Sequence, residues 1–531
     1  MRNSKPVWGA GFAPCAPDFI IRDSNMSILS HIIKAKDSSM RTTRGFIIGV
    51  VEAEGEAHNN SILLNDVFVD YPDLFWHLDN GKFIILGRKG MGKSAVGEYL
   101  VSTMKDEPNK FATMVSHHKI ELEKLIQESY QEHSIDNHSA LFKWVILTQI
   151  LNLMAENENI NHFPEMKTLK NFLSRNRGFV GIDKYEIYDY ETAKGFSINI
   201  EYFRRLCSKL GLEIKEKGNK AIYYKLLPNL EQTLITLMKK DSDNDYLLII
   251  DDLDIGYKNR TENNDMLVDL LRVVKYYNNE VFAKNNLSTR IFVLLRDDIS
   301  KHIMNYADTA KILNSYAVTL RWYQKNDNEN DLLLKQFINK RIEHNFKRLS
   351  MSYNPSDPWS DFIERSKKGE QKSSFKYILD QTFYRPRDLV LFFKDIGSKD
   401  IPLPISHQDV SNLVGLYSKE MINEIRNELS SQLSEKEIDD VLKILYGHSG
   451  KNDQFSYEEL ITELQKAEFY NPVGIVEMLF DYSLIGNRNE KGEFNFKFRE
   501  REGHVCEMNK GQNFVLHNII KKFASINHGV R

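Results

Sequence analysis

The stretch Gly87-Arg-Lys-Gly-Met-Gly-Lys93-Ser94 constrains this chain more than any other. It fits G-x-x-x-x-G-K-[ST] without a mismatch. The apolar run Lys82-Phe-Ile-Ile-Leu86 precedes it, and the helix-compatible run Ala95-Val-Gly-Glu-Tyr-Leu-Val101 follows. A phosphate-binding loop needs this strand–loop–helix context. Glycines let successive backbone N–H groups close on an anion without Cβ clashes. The N-terminus of the following helix adds a partial positive charge. The cradle is expected to comprise Gly87, Arg88, Lys89, Gly90, Met91, Gly92, Lys93, Ser94 and Ala95. Lys93 would bridge the β- and γ-phosphates and Ser94 would ligate Mg²⁺, which makes ATP and Mg²⁺ the expected ligands. Four fixed positions and the correct flanks argue against a glycine-rich turn that matches by chance.

A second anchor is Tyr246-Leu-Leu-Ile-Ile-Asp251-Asp252-Leu253-Asp254, an apolar strand ending in carboxylates. In an open parallel sheet, ligands sit at the carboxyl ends of the strands, so Asp251 is expected beside the phosphate loop. Its role would be to hold Mg²⁺ with Ser94, while Asp252 orients the attacking water. Alone, such a strand is weak support; downstream of a phosphate loop it is strong. Asp254 is as well explained as a helix cap. The next strand, Arg290-Ile-Phe-Val-Leu-Leu-Arg296, ends in a cation. Two roles are open to Arg296: sensing the third phosphate, or an ordinary ion pair with Asp297, Asp298 or the Asp251–Asp254 cluster.

At 531 residues the chain is too long for one ordinary core. Apolar content of 41% and charged content of 27% describe a globular protein, and the net charge of −3 announces no global affinity for nucleic acid. Cys15, Cys207 and Cys506 lie far apart and imply neither a metal site nor a disulfide framework, which fits the reducing cytoplasm. No apolar run approaches the ~18 residues of a membrane span.

The pattern predicts an α/β protein: a P-loop NTPase core with a parallel sheet, followed by an α-helical lid and a winged-helix domain. Residues 1–64 form an N-terminal segment without a readable role, in which Phe46–Val51 is either a buried strand or a helix segment. Residues 65–325 form the core. In it, Asp66–Pro72 is expected to cover the base, and Phe111–Ser116 and Tyr316–Trp322 are further strands. A mostly helical insertion is expected at 119–240, with helices at Lys119–Ile126, Leu141–Leu153, Glu201–Leu206 and Leu230–Leu237 and a hairpin at Gly181–Tyr188. The lid, 326–404, closes on Phe383-Tyr-Arg385-Pro386-Arg387-Asp388, where Pro386 suits a first helical turn and Arg387 projects from its start. Arg385 and Arg387 are open either to a phosphate role or to local pairing. Residues 405–531 read as helices, a two-stranded wing ending at Phe494–Phe498, and a closing helix at Phe514–Phe523. In the wing, Glu500 and Glu502 interrupt a basic patch of Lys497, Arg499 and Arg501.

The order of phosphate loop, Asp-Asp strand, arginine-ended strand, Arg-Pro-Arg-Asp lid and winged helix resembles the AAA+/STAND group of P-loop NTPases, with the architecture of origin-recognition-like initiator ATPases. Within that group it resembles bacterial P-loop ATPases of anti-phage defence typified by the strings at Gly87–Ser94, Ile249–Asp254 and Arg385–Asp388. The resemblance implies that Arg296 is a first sensor and Arg387 a second sensor. It also implies a slow ATP hydrolase with Lys93, Asp252, Arg296 and Arg387 as catalytic residues. The related KAP group usually carries Arg where this chain has Ile255. With no arginine finger for a neighbouring subunit, the expectation is a nucleotide-gated switch that assembles with itself or with an effector. The rival is an ATP-licensed DNA-binding protein of initiator type. A nuclease has only the generic pairs Glu121–Lys124 and Glu191–Lys194 in its favour.

Overall fold

The computed structural model describes residues 41–57, 64–116, 137–176, 197–215, 218, 220–251, 253, 261–325, 328–365, 372–430, 432–449, 454–501 and 504–527. The chain divides into two compact units, residues 1–42 and 43–531. Only Arg41 and Thr42 of the first are described, and the described helices and strands belong to the second.

Its strands, in chain order, are β1 (Ile84–Leu86), β2 (Lys110–Ser116), β3 (Ser197–Asn199), β4 (Lys220–Ile222), β5 (Asp245–Asp251), β6 (Thr289–Leu295), β7 (Ala317–Thr319), β8 (Ile485–Arg488), β9 (Phe494–Asn495) and β10 (Asn513–Leu516). Five form one parallel sheet in the order β2-β5-β6-β1-β7. Apolar runs such as Ile84-Ile-Leu86 and Leu247-Leu-Ile-Ile250 are buried throughout, as strands covered on both faces must be. The register aligns the strand ends: Leu86 lies opposite both Leu295 and Thr319, so Gly87 and Arg296 emerge at the same edge.

Helix Lys93–Lys105 packs closely on this sheet. Gly97 permits it, because a Cβ there would come within 2.6 Å of Met114 Sδ and 3.2 Å of Leu294 Cδ1. The helical part of the expected insertion is not all peripheral. Helix Asn137–Glu156 is mostly buried from Leu141 to Met154, with Leu147, Ile150 and Leu151 fully covered, and it belongs to the layer that covers β2 and β5. The expected helices at Glu201–Leu206 and Leu230–Leu237 fall within Glu201–Lys209 and Tyr223–Lys240. The antiparallel pair β3–β4 was not expected. The expected helix at Lys119–Ile126, the hairpin at Gly181–Tyr188 and both carboxylate–lysine pairs lie outside the described residues.

Two sequence expectations are corrected. Phe46–Val51 is neither strand nor helix. It is an irregular segment whose backbone is satisfied by side chains and loops of the lid. Ile47 N–H donates to Asn345 Oδ1 at 2.7 Å, Ile47 O accepts from Asn345 Nδ2 at 2.6 Å, and Gly45 N–H donates to Gly397 O at 2.9 Å. The run is apolar because Phe46 is clamped between Phe346 and Phe362, with centroids 5.4 and 5.5 Å away. The closing helix at Phe514–Phe523 starts later than expected. Asn513–Leu516 is strand β10, paired antiparallel with β8, and the helix spans Asn518–Asn527. Phe514, Val515 and Leu516 are all buried, which a one-faced helix would not achieve.

The C-terminal part thus carries helices Glu435–Gly447, Tyr457–Lys466 and Pro472–Asp481 and a three-stranded antiparallel sheet, β10-β8-β9. Ser434 and Ser456 each close a capping box at the start of the first two helices. No helix among the described residues is long and apolar enough to cross a membrane.

Candidate functional site

A cavity of about 300 Å³ opens at the carboxyl edge of the parallel sheet. One end is the loop after β1, contributing Lys89, Gly90, Gly92, Lys93, Ser94 and Ala95. Gly90 and Gly92 have φ of 83° and 89°, the left-handed region that glycine enters at little cost. Gly92 directly precedes helix Lys93–Lys105, whose first turn has neither an acidic residue nor a side-chain cap. Its N–H groups are therefore available to an anion. Lys93 Nζ donates to Gly87 O at 3.0 Å and lies 3.5 Å from Arg88 O, a position from which it can turn to a phosphate.

The side walls are charged. Asp251, 4% exposed at the end of β5, and Arg296, immediately after β6, both line the cavity. Asp251 and the loop line one cavity, but their strands are not neighbours: β6 stands between β5 and β1, so Arg296 emerges between the carboxylate and the phosphate loop. Arg296 pairs with Asp298, its Nε and Nη2 at 3.0 and 2.6 Å from the two carboxylate oxygens. The ion pair and the place at the cavity wall are therefore both real. Burial alone would raise the Asp298 carboxyl, but Arg296, with help from Arg88, holds it below its ordinary value. Asp252 and Asp254 lie outside the described residues.

The lid closes the cavity with Pro386, Arg387 and Val390. Pro386 opens helix Pro386–Phe392 as expected. The two arginines of Arg385-Pro-Arg387 part ways. Arg387 faces the cavity, donates its backbone N–H to Gly90 O at 3.3 Å, and has Glu424 at 3.9 Å. Arg385 is buried against Asp388 at 2.9 Å and Glu428 at 2.9 Å, and its Nη1 is 3.3 Å from Lys89 O. Burial disfavours its charge, and the two carboxylates more than offset that. A Cβ on Gly90 would lie 3.0 Å from Arg387 Cβ, so the loop meets the lid through a glycine for steric reasons as well.

The far end is apolar and was missed in the sequence. Val50, Val51, Phe337 and Val390 line it, whereas the expected cover Asp66–Pro72 is not among the lining residues. Glu56 and Arg341 line the same end, a pair 2.7 Å apart with side chains 4% and 3% exposed. Glu56 also accepts from Val50 N–H at 3.1 Å, and Arg341 donates to Val67 O at 3.0 Å. The pair fixes segment 50–56 to the lid helix Leu333–Arg348. No local pattern in residues 43–57 announces a partner almost 300 positions away.

The residues fit a nucleotide with Mg²⁺. The glycine cradle and uncapped helix start suit phosphates, the apolar end suits a base, and Ser94 and Asp251 offer two oxygens in one cavity. Mg²⁺ usually keeps several waters and needs few protein ligands. Among the described residues no cluster of three or more His, Cys, Asp or Glu is placed to hold a metal by itself.

The family described as the FunZ-associated C-terminal helical domain matches residues 332–426, from the start of helix Leu333–Arg348 into helix His407–Leu429. No curated protein matches. Among solved structures, the ORC2 protein of Aeropyrum pernix in ADPNP–ADP complexes is 10% identical, covering 89% of this chain and 99% of that one at a TM-score of 0.29. CDC6P of Pyrobaculum aerophilum is 11% identical, covering 86% and 91% at a TM-score of 0.26. Likeness at these TM-scores carries no functional inference, and the chemistry rests on the cavity.

Proposed function

We propose that the protein is a Mg²⁺-dependent ATPase of slow turnover that works as a nucleotide-gated switch. One observation carries the reading: the phosphate loop, Asp251, Arg296 and Arg387, far apart in sequence, line a single cavity. Lys93 and the loop N–H groups bind the phosphates, and Arg387 brings the lid onto them. Arg296 serves the third phosphate. Ser94 and Asp251 would hold Mg²⁺, which would supply positive charge to offset that of the phosphates. Asp252 is assigned to the attacking water on its place in the sequence. Residues 65–325 are taken as the core, 326–404 as the lid and 405–531 as a winged-helix domain. A γ-phosphate held between core and lid is a common source of hinge and order–disorder switching. Assembly with itself or with an effector, in the cytoplasm and in anti-phage defence, is proposed on the sequence resemblance.

Nucleotide binding and turnover test the reading. Lys93→Ala should abolish binding, and Asp252→Ala should keep binding and lose turnover. Turnover retained in Asp252→Ala removes that residue from the role. Light scattering with Mg²⁺ alone, Mg²⁺-ADP and Mg²⁺-ATP tests assembly: size indifferent to nucleotide refutes it.

One observation favours DNA binding as a second reading. Glu500, which interrupts the basic patch in sequence, turns inward to Lys497 and Cys506 N–H at 2.5 and 3.3 Å. Arg499 and Arg501 then line an 870 Å³ groove with Lys325 and Lys510, in which the cations outnumber the carboxylates Glu493 and Glu507. Affinity for duplex DNA falling steeply with salt supports this reading, and affinity indifferent to salt removes it.

A further inference from the structure

The phosphate loop carries two cationic side chains, Arg88 and Lys89, at positions where the loop motif accepts any residue. They reach two different helices of the C-terminal half. Lys89 Nζ is 3.4 Å from Glu424 of helix His407–Leu429. Arg88 turns into a second cavity, of about 210 Å³, shared with helices Asp297–Ile303 and Pro472–Asp481. Its Nη1 donates to the backbone oxygen of Asp481, the last residue of its helix, and its Nε lies 3.7 Å from Asp297. The Asp481 carboxylate is 3.7 Å from Lys301. The last carbonyls of a helix lack intrahelical partners and carry partial negative charge, so Arg88 and Lys301 complete the end of this helix electrostatically.

We propose that Arg88 is a latch: it holds helix Pro472–Asp481 against the phosphate loop and releases it when a nucleoside triphosphate binds. The latch presupposes the nucleotide site proposed for the cavity. Two routes connect ligand and latch. Lys93 Nζ donates to Gly87 O at 3.0 Å, with Arg88 O at 3.5 Å. A phosphate that takes Lys93 removes the donor from the backbone on which Arg88 sits. Arg296 is the second route, because it lines both cavities and pairs with Asp298. An anion that draws Arg296 away leaves the Asp298 carboxylate to Arg88, whose charge it already feels. Asp298 then competes with the Asp481 carbonyl for the same guanidinium. The first route answers to any bound phosphate, and the second answers to a phosphate close to Arg296. A triphosphate is therefore expected to open the latch further than a diphosphate.

Amide hydrogen exchange on the full chain reads the latch directly. Peptides covering residues 478–484 are followed with Mg²⁺ alone, with Mg²⁺-ADP, and with Mg²⁺ and a non-hydrolysable ATP analogue. Binding is measured in the same samples with a fluorescent nucleotide. The expected result is exchange several-fold faster with the triphosphate analogue and a smaller change with ADP. Lys301→Glu, at an exposed position, and Arg88→Met should each show fast exchange at this helix end before any nucleotide is added, with little further rise. Binding of the analogue with exchange unchanged within twofold overturns the latch and leaves the nucleotide site standing. No binding at all overturns the site and the latch together.

Discussion

Arg385→Ala and Arg387→Ala should separate structure from function within a single tripeptide. Arg385 makes its hydrogen bonds to Asp388 Oδ1 and Oδ2 at 3.0 and 3.2 Å, with Glu428 at 2.9 Å. Asp388 is fully buried and also accepts from Phe383 N–H at 2.8 Å. Removing the guanidinium leaves two carboxylates facing each other without their cation. Breaking a buried pair in this way costs about 3–5 kcal/mol. At roughly 2.1 cal/mol/K of unfolding entropy per residue, one kcal/mol moves the Tm of a unit spanning residues 43–531 by about 1 °C, so a fall of roughly 3–5 °C is expected. Arg387 has its nearest carboxylate at 3.9 Å, and its side chain is 21% exposed. Its removal should cost about 0–1 kcal/mol and leave Tm within about 2 °C. Nucleotide affinity should fall instead, because the lid loses its cation at the cavity. The assay is scanning calorimetry on both variants, with fluorescent-nucleotide titration below the lower Tm. The reasoning is refuted if Arg385→Ala melts like the wild type, or if Arg387→Ala keeps full affinity for nucleotide. Pairing Arg385→Met with Asp388→Leu should recover part of the lost stability, since the fully buried carboxylate is then gone and only the less buried Glu428 is left without its cation.

Gly90→Ala places a Cβ at φ 83° and 3.0 Å from Arg387 Cβ, so it should cost roughly 1–2 kcal/mol and loosen the lid, read as a lower Tm and weaker nucleotide binding. Lys335 lies over Trp359 and Phe375 at 4.1 and 4.6 Å, and burial pushes its ammonium down to about 7 against the pull of Glu329 and Asp357. Between about pH 7 and 10.5 the unfolded chain binds a proton that the folded chain does not, so stability should rise with pH there. Lys335→Met should flatten that limb in urea titrations, and a wild-type stability that falls over this range refutes the assignment. His517 acts with the same sign in an acid window. Burial pushes its imidazole down to about 3, with Nε2 3.1 Å from Thr382 O and Nδ1 accepting from Ile519 N–H at 3.2 Å. Stability should therefore be lost as pH falls from about 6.5 toward 3, by up to about 1.4 kcal/mol per pH unit, and His517→Leu should reduce that slope.

The carboxyl edge of the parallel sheet was legible because its signals are local. A phosphate loop is read by backbone geometry that only glycines reach, and the strands around it are apolar because both faces are covered. The register that aligns Gly87 with Arg296 follows once those strands pair in parallel. Where an apolar run was short, periodicity had too few residues to decide. Phe46–Val51 failed for that reason and is an irregular clamp, while the run Phe514–Phe523 joins the end of a strand to the start of a helix, a boundary that apolar spacing alone does not mark.

The sequence by itself determined the phosphate loop, the order of the core strands along the chain, the acidic strand end and the helical character of the lid. Each depends on residues within a dozen positions of one another. Only the tertiary structure decided that β6 separates the two anchors and that Arg385 is structural while Arg387 faces the cavity. It also decided that Val50, Val51 and the Glu56–Arg341 pair close the far end, and that Arg88 reaches Asp481. Those facts are contacts between residues tens to hundreds of positions apart. They are set by how sheet, lid and C-terminal helices pack, and packing energy leaves no periodic trace in the segments it joins.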